Sequence, residues 1–239
     1  MTRKSTVTRK SRIHFEQIPL DEVLKRVATD EVAKQPSERS VHFHGVKFYN
    51  DPDALCRIVA DFFGEGLDQG ALAVLIATPD HAGRVESCLR SRGIDVDELK
   101  RQGNLATLDA RDTLQLFMAD GMPDPSAFNR VVGTAFEDVR RGRGHCTIRA
   151  YGEMVDLLWK DGLEASAIRL ETLWNQLAST DDFKLLCGYS MGNFYKGAAA
   201  IQEIHDQHSH LVGQDGHTTL LTGSQTASAT PGCSRQSRW

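Results

Sequence analysis

The feature that most constrains the fold is an alternation of short apolar runs and amphipathic helical segments between residues 41 and 211. The clearest run, residues 71–77, contains seven consecutive apolar residues, which is typical of a strand covered on both faces. Before it, apolar residues recur at helical spacing at Leu55, Ile58, Val59, Phe62 and Phe63. Further strands are predicted at residues 42–49, 104–108, 146–150 and 183–189. Alternation of this kind predicts an α/β domain, with a mostly parallel sheet of about five or more strands and helices on both faces.

The two ends of the chain differ from this middle part. Residues 1–40 are polar and contain one short helical candidate, so they are interpreted as an N-terminal extension. Residues 212–239 are rich in Gly, Ser, Thr and Gln, a composition that buries too little apolar surface to order itself. The domain is therefore expected at residues 41–211, followed by an unstructured tail.

Composition narrows the class of protein further. The net charge of -4 does not favour nucleic-acid binding, and no apolar run reaches the roughly 18 residues of a membrane span. The basic N-terminus lacks the apolar core of a secretory signal, so a cytoplasmic location is predicted. The five cysteines show no C-x-x-C spacing, which favours reduced, buried thiols over a disulfide framework.

Several segments resemble known proteins. In residues 62–76 a helix ends in Gly66-Leu67-x-x-Gly70 and leads into an apolar strand, which resembles the segment after the P-loop helix in KaiC-type RecA-like ATPases. A closer resemblance is to the MEDS family (methanogen/methylotroph, DcmR sensory domain). The matching pieces are HGVKFYNDPD (44–53), IATPDH (76–81), LDARDTLQLF (108–117), RAYGEM (149–154), RLETLWNQL (169–177) and LLCGYSM (185–191). The resemblance implies a RecA/KaiC-like sheet and a role in sensing small molecules in prokaryotic signal transduction.

The junction after the first predicted strand argues against nucleotide hydrolysis. A P-loop needs glycines for close backbone approach to phosphate and a Lys for the β/γ-phosphates. Residues 48–53 read Phe-Tyr-Asn-Asp-Pro-Asp, without either. The carboxylates of Asp51 and Asp53 would repel a triphosphate. Asp51 is equally suited to cap the following helix.

In an open parallel sheet, ligands bind at the carboxyl ends of the strands, and a mixed aromatic and polar lining suits a small organic ligand. No catalytic motif, metal site or cofactor is predicted. The candidate ligand-binding residues are His44, Phe48, Tyr49, Asn50, Asp51, His81, Tyr151, Glu153, Trp174, Cys187 and Tyr189.

Each candidate has a simpler structural alternative. Glu153 either hydrogen-bonds a ligand or a cation, or it serves as an N-terminal helix charge or forms a salt bridge with Arg149 or Arg111. Cys187 is a core thiol by default, with a redox role or a metal site shared with His145 and Cys146 as alternatives. Trp174 and Trp159, which lie on predicted helices with apolar neighbours, are expected to pack in the core. The histidines near the last helix are interpreted as an exposed helix end, and they are His205, His208 and His210.

These observations favour a non-catalytic sensory domain that binds a small molecule and signals through a histidine kinase or a transcription regulator. Two rival functions stay open. An enzyme would need Glu153 within hydrogen-bond reach of a second titratable group, and a pure interaction adaptor would lack a concave pocket. Neither membrane association nor direct nucleic-acid binding is expected, and the sequence leaves homo-oligomer formation open.

Overall fold

The computed structural model describes residues 42–143, 146–193 and 198–221. The predicted N-terminal extension, residues 1–40, lies outside the described residues, as does His145. The strands are β1 (His44–Tyr49), β2 (Leu72–Ala77), β3 (Leu105–Asp109), β4 (Met118–Ala119), β5 (Met122–Pro123), β6 (Ile148–Gly152), β7 (Phe183–Ser190), β8 (His210–Val212) and β9 (Thr218–Leu220). The helices are α1 (Pro52–Asp68), α2 (Pro79–Ser91), α3 (Val96–Arg101), α4 (Ala110–Gln115), α5 (Pro125–Arg140), α6 (Met154–Lys160), α7 (Glu164–Ala178) and α8 (Ala198–Gln207), with a 3-10 turn at Met191–Asn193.

Within the described residues, seven strands form one sheet in the order β3-β2-β6-β7-β1-β8-β9. All neighbouring pairs in this sheet are parallel except β8 and β9. The predicted fold class, an α/β domain with a mostly parallel sheet of five or more strands, is therefore confirmed. None of the described helices is long and apolar enough to cross a membrane.

Helices cover both faces of the sheet, because successive side chains of each strand point to opposite sides. On one face, Leu75 of β2 and Leu186 of β7 belong to a core with Val59 and Phe63 of α1 and Val85 of α2. On the other face, β7 meets α5 and α7. There the Phe183 ring lies 5.0 Å from the ring of Phe136 and 6.0 Å from that of Trp174.

Helix α1 begins and ends where the sequence indicates. The Asp51 carboxylate accepts the backbone N–H of Asp53 at 2.9 Å, and Pro52 occupies the first turn. At the other end, Gly70 has a φ of 79°, a left-handed conformation that suits glycine. The segment that replaces a P-loop is thus an ordinary capped helix start.

Two differences from the sequence prediction bear on the site and on the C-terminal segment. Strand β6 begins at Ile148, two residues later than predicted, because pairing with Leu72 of β2 and Phe183 of β7 sets its register. Tyr151 therefore lies inside the strand. Strands β8 and β9 form a hairpin that reaches Leu220, inside the segment predicted to be an unstructured tail from residue 212. Parallel pairing of β8 with β1 holds this hairpin, and local composition carries no sign of such long-range pairing.

The prediction of an exposed helix end at His208 is wrong. Its side chain is fully buried, since the chain turns back after α8 towards β1. The backbone N–H of Ser209 donates to the carbonyl oxygen of His44 at 2.9 Å.

Candidate ligand-binding site

The site lies where neighbouring strands send the chain to opposite faces of the sheet. Strand β2 leads into α2, which packs on the same face as α1. Its neighbour β6 leads into α6, whose Trp159 contacts Tyr189 on the opposite face at a ring separation of 6.2 Å. A crevice opens between such strands at their carboxyl ends, the usual ligand position in open α/β sheets.

Glu153, at the start of α6, is the centre of this crevice. Its side chain is 3% exposed. Each of its two carboxylate oxygens accepts hydrogen bonds from different groups around the crevice. One oxygen accepts the backbone N–H of Thr78. The other lies 2.5 Å from Nδ1 of His81 and accepts the Tyr151 hydroxyl at 3.3 Å. Glu153 therefore joins the loop after β2 to the end of β6.

The alternative ion pairs of Glu153 do not form. Arg149 points to the carbonyl oxygen of Phe62 and lies 3.3 Å from the Glu65 carboxylate. Arg111 pairs with Asp161 at 2.9 Å. The partner of Glu153 is His81, which the sequence analysis had treated separately.

The contact changes the acid–base behaviour of His81. Its hydrogen bond to Glu153 raises the pKa of the imidazole above 6.5, although burial acts in the opposite direction. A raised histidine pKa contributes stability that is fully present below pH 6.5 and is lost as pH rises through the folded value. The pair thus holds a proton between a carboxylate and an imidazole at the edge of the crevice.

We expect the substitution Glu153→Gln to lower the pKa of His81, because the amide removes the charge that stabilises the imidazolium. An NMR titration of the His81 ring protons in the two proteins measures this. Asp80→Asn is the matched control, since Asp80 contributes less to the same pKa. An unchanged His81 titration in Glu153→Gln would show that another group sets it.

Asp156 completes the polar lining and was missed by the sequence analysis. One of its oxygens accepts the Ser190 backbone N–H and the Asn193 amide, both at 2.8 Å. The other accepts the Tyr49 hydroxyl at 3.5 Å. Burial raises its pKa above the usual range. The available signal was an acidic residue among the apolar residues of α6, three positions after Glu153.

These groups surround an open cavity of about 300 Å³ at the carboxyl ends of β1, β2, β6 and β7. Larger depressions of about 490 and 620 Å³ lie beside α1 and α2 and near the start of β7. The acidic residues that line them are not buried, so the buried carboxylates favour the smaller cavity. Its lining is Tyr49, Asn50, Pro52, Thr78, His81, Glu153, Asp156, Leu157, Lys160, Ser190 and Asn193.

The structure distributes the eleven predicted residues over several places. Four of them, Tyr49, Asn50, His81 and Glu153, line the cavity. Tyr151 lies beneath it, and Asp51 is the exposed cap of α1. The other five lie on the face of the sheet opposite α1. Phe48 and Trp174 are packed against aromatic rings there. His44, Cys187 and Tyr189 surround Glu171.

Fold and site together define a mostly parallel α/β domain with a carboxylate-lined cavity at the carboxyl ends of its strands. The family model of MEDS, described as methanogen/methylotroph, DcmR sensory domain, matches residues 43–209. The chain belongs to this family, and the resemblance found in the sequence is confirmed.

Other comparisons add little. No curated protein matches the chain significantly. Among solved structures, the uncharacterized protein PH0321 from Pyrococcus horikoshii, solved in complex with an unknown peptide, is 14% identical with a TM-score of 0.49. The match covers 76% of this chain and 84% of that one. A likeness of this degree carries no functional information.

Proposed function

We propose that this sensory domain binds a small polar organic molecule in the cavity at the carboxyl ends of β1, β2, β6 and β7. The observation that carries the proposal is the convergence of two buried carboxylates, Glu153 and Asp156, on this one cavity. Buried charges are costly unless they are paired or used. A few convergent polar groups in a concave cavity are typical of a binding site.

The residues that line the cavity indicate which functional groups a ligand should carry. Carboxylates accept hydrogen bonds, so hydroxyl or amine groups are favoured and phosphate is disfavoured. Tyr49 adds an aromatic wall beside His81, at a ring separation of 5.9 Å. We therefore expect small alcohols or amines rather than nucleotides.

Asp156 connects the cavity to the segment that follows β7, and we expect the signal to pass through this contact. Its carboxylate holds the Asn193 side chain in the 3-10 turn that follows β7. This turn leads towards α8, so a ligand that competes for Asp156 would change how the turn is held. Such a ligand shifts the population between two arrangements. A histidine kinase or transcription regulator that contacts α8 would then respond.

The binding test uses the full chain in a thermal-shift screen, followed by NMR titration. The panel contains small alcohols, amines and carboxylates, together with ATP and magnesium. We expect an alcohol or amine to stabilise the wild type and to lose this effect in Asp156→Asn. Arg111→Ala is the matched control, since Arg111 lies at the same edge of the sheet outside the cavity lining. Stabilisation by ATP with magnesium alone would contradict the proposal.

The contact between His81 and Glu153 favours enzymatic activity as a second candidate function. A carboxylate within hydrogen-bond reach of an imidazole is the arrangement of a general acid–base pair. The test is incubation of the protein with any ligand found in the screen, with product detection by NMR. Turnover that is abolished in Glu153→Gln would support an enzyme, whereas an unchanged ligand would support a sensor.

A further inference from the structure

A second cluster of polar side chains lies away from the cavity, on the face of the sheet opposite α1. His44 belongs to β1, Glu171 to α7 and Cys187 to β7, and His208 follows α8. All four residues are buried. One potential ligand atom from each lies within 4.8 Å of the others: a ring nitrogen of each histidine, Sγ of the cysteine and a carboxylate oxygen.

Both histidines are held by the nitrogen that faces away from the cluster. Nδ1 of His44 lies 2.8 Å from Oδ1 of Asn175, whose own amide donates to the carbonyl oxygen of Gln207. Nδ1 of His208 lies 2.6 Å from the carbonyl oxygen of Ile204. Because a carbonyl oxygen only accepts, both Nδ1 atoms carry hydrogen. A neutral ring then directs the Nε2 lone pair into the cluster, the arrangement that orients metal-binding histidines.

In this state no hydrogen lies between Nε2 of His208 and the Glu171 carboxylate. Nε2 of His208 is buried without a hydrogen-bond partner among the described residues and lies 3.4 Å from an oxygen of Glu171. The Tyr189 hydroxyl and the Cys187 thiol donate to Glu171 at 2.7 and 3.5 Å. Facing acceptors without a donor between them are destabilising, and a cation removes this conflict.

The spacing of the donor atoms fits a tetrahedral ion. Zinc bonds of about 2.0–2.1 Å to nitrogen or oxygen and about 2.3 Å to sulfur place neighbouring donors about 3.3–3.6 Å apart. Nε2 of His44 lies 3.2 Å from a Glu171 oxygen and 3.5 Å from Sγ of Cys187. The same sulfur and oxygen are 3.5 Å apart. Three edges of the tetrahedron are thus nearly formed, and the ligand nitrogen of His208 lies within 4.8 Å of the other three atoms.

Charge balance supports the same ion. The Glu171 carboxylate, which accepts the Tyr189 hydroxyl at 2.7 Å, gives the cluster one negative charge. When Zn²⁺ binds, the Cys187 thiol loses its proton to solvent and becomes a thiolate. Two negative ligands and a divalent cation sum to zero, the charge that a buried site favours.

We propose that His44, Glu171, Cys187 and His208 bind one Zn²⁺ ion. A depression of about 340 Å³, which both histidines line, offers an entry path. Four protein ligands leave no open position, so the site is structural or regulatory rather than catalytic. The ion joins β1, α7 and β7 to the segment after α8, and so fixes the end of α8 against the sheet.

The test starts from the full chain freed of metal with a chelator and titrated with Co²⁺, then with Zn²⁺. We expect one equivalent of Co²⁺ to give the visible bands of tetrahedral coordination and the near-ultraviolet band of thiolate ligation. Co²⁺ binding should release the Cys187 thiol proton, one per ion, and Zn²⁺ should then displace Co²⁺ without releasing another. Cys187→Ser should lose the thiolate band, and His208→Gln should weaken zinc binding at least about tenfold. Cys56→Ser is the control, because that buried thiol belongs to the core on the opposite face.

Circular dichroism in the presence of chelator reports whether each variant folds. If a substitution prevents folding, the wild-type spectrum and proton release still decide the question. The proposal is overturned if the wild type binds neither ion, or if folded Cys187→Ser and His208→Gln bind Zn²⁺ as tightly as the wild type. It is independent of the ligand cavity, since the two sites share no residue.

Discussion

Replacing Trp174 with Ala is expected to lower the free energy of unfolding by about 3–5 kcal/mol. The side chain is 1% exposed and lies among aromatic rings of α5 and β7. The nearest ring, that of Phe128, meets it edge-on at 5.0 Å. Removing the indole leaves a cavity that these rings fill only in part. Urea unfolding followed by far-ultraviolet circular dichroism measures the loss.

Two further variants make this result specific. Trp174→Phe keeps part of the packing and should cost less than Trp174→Ala. Leu116→Ala is the control at an apolar residue that is 64% exposed, and its effect should stay within about 0.5 kcal/mol. A loss below about 1 kcal/mol for Trp174→Ala would contradict a packing role and would favour the ligand-binding role predicted from the sequence.

Lys47 is expected to make the stability of the protein depend on pH between 8 and 10.5. Its side chain is 1% exposed and donates to the carbonyl oxygens of Val212 and Gly213 at 3.4 and 2.6 Å. Burial lowers its pKa to about 8, although Asp215 acts in the opposite direction. Below pH 8 the ammonium is charged in both states and its burial cost is fully present. From pH 8 to 10.5 the native state loses the proton first, so the unfolded state binds more protons and the free energy of unfolding rises with pH.

The comparison with Lys47→Met isolates this contribution. The difference in unfolding free energy, wild type minus variant, should rise by up to about 3 kcal/mol across this range. Buried thiols and tyrosines titrate in the opposite sense, as with Cys56, whose pKa burial raises to about 12. They are common to both proteins and cancel in the subtraction. A difference that stays constant with pH would contradict the depressed pKa of Lys47.

Much of the fold was predictable because its signals are local. Apolar runs and helical spacing located β1, β2, α1 and their neighbours, and Asp51-Pro52 marked the start of α1. Strand bounds that differ between prediction and structure, such as the start of β6, depend on pairing between strands that are distant in sequence. The hairpin of β8 and β9 was missed for the same reason, since β1 and not the local composition holds it.

The site was predictable in position but not in its contacts. The rule that ligands gather at strand carboxyl ends identified Tyr49, Asn50, His81 and Glu153. It did not pair His81 with Glu153, which are 72 residues apart. Asp156 was not predicted as a site residue, because a single acidic residue within a helix is usually exposed.

By itself the sequence determined the class of fold, the absence of a phosphate-binding loop and the resemblance to a sensory family. Each of these depends on which residues are neighbours along the chain. Only the tertiary structure decided which polar groups share a buried environment. Sheet order and strand register, set by the packing of the whole domain, bring His44 and Cys187 together across 143 residues and place Glu171 and His208 beside them. The zinc proposal rests on that proximity, which no local pattern encodes.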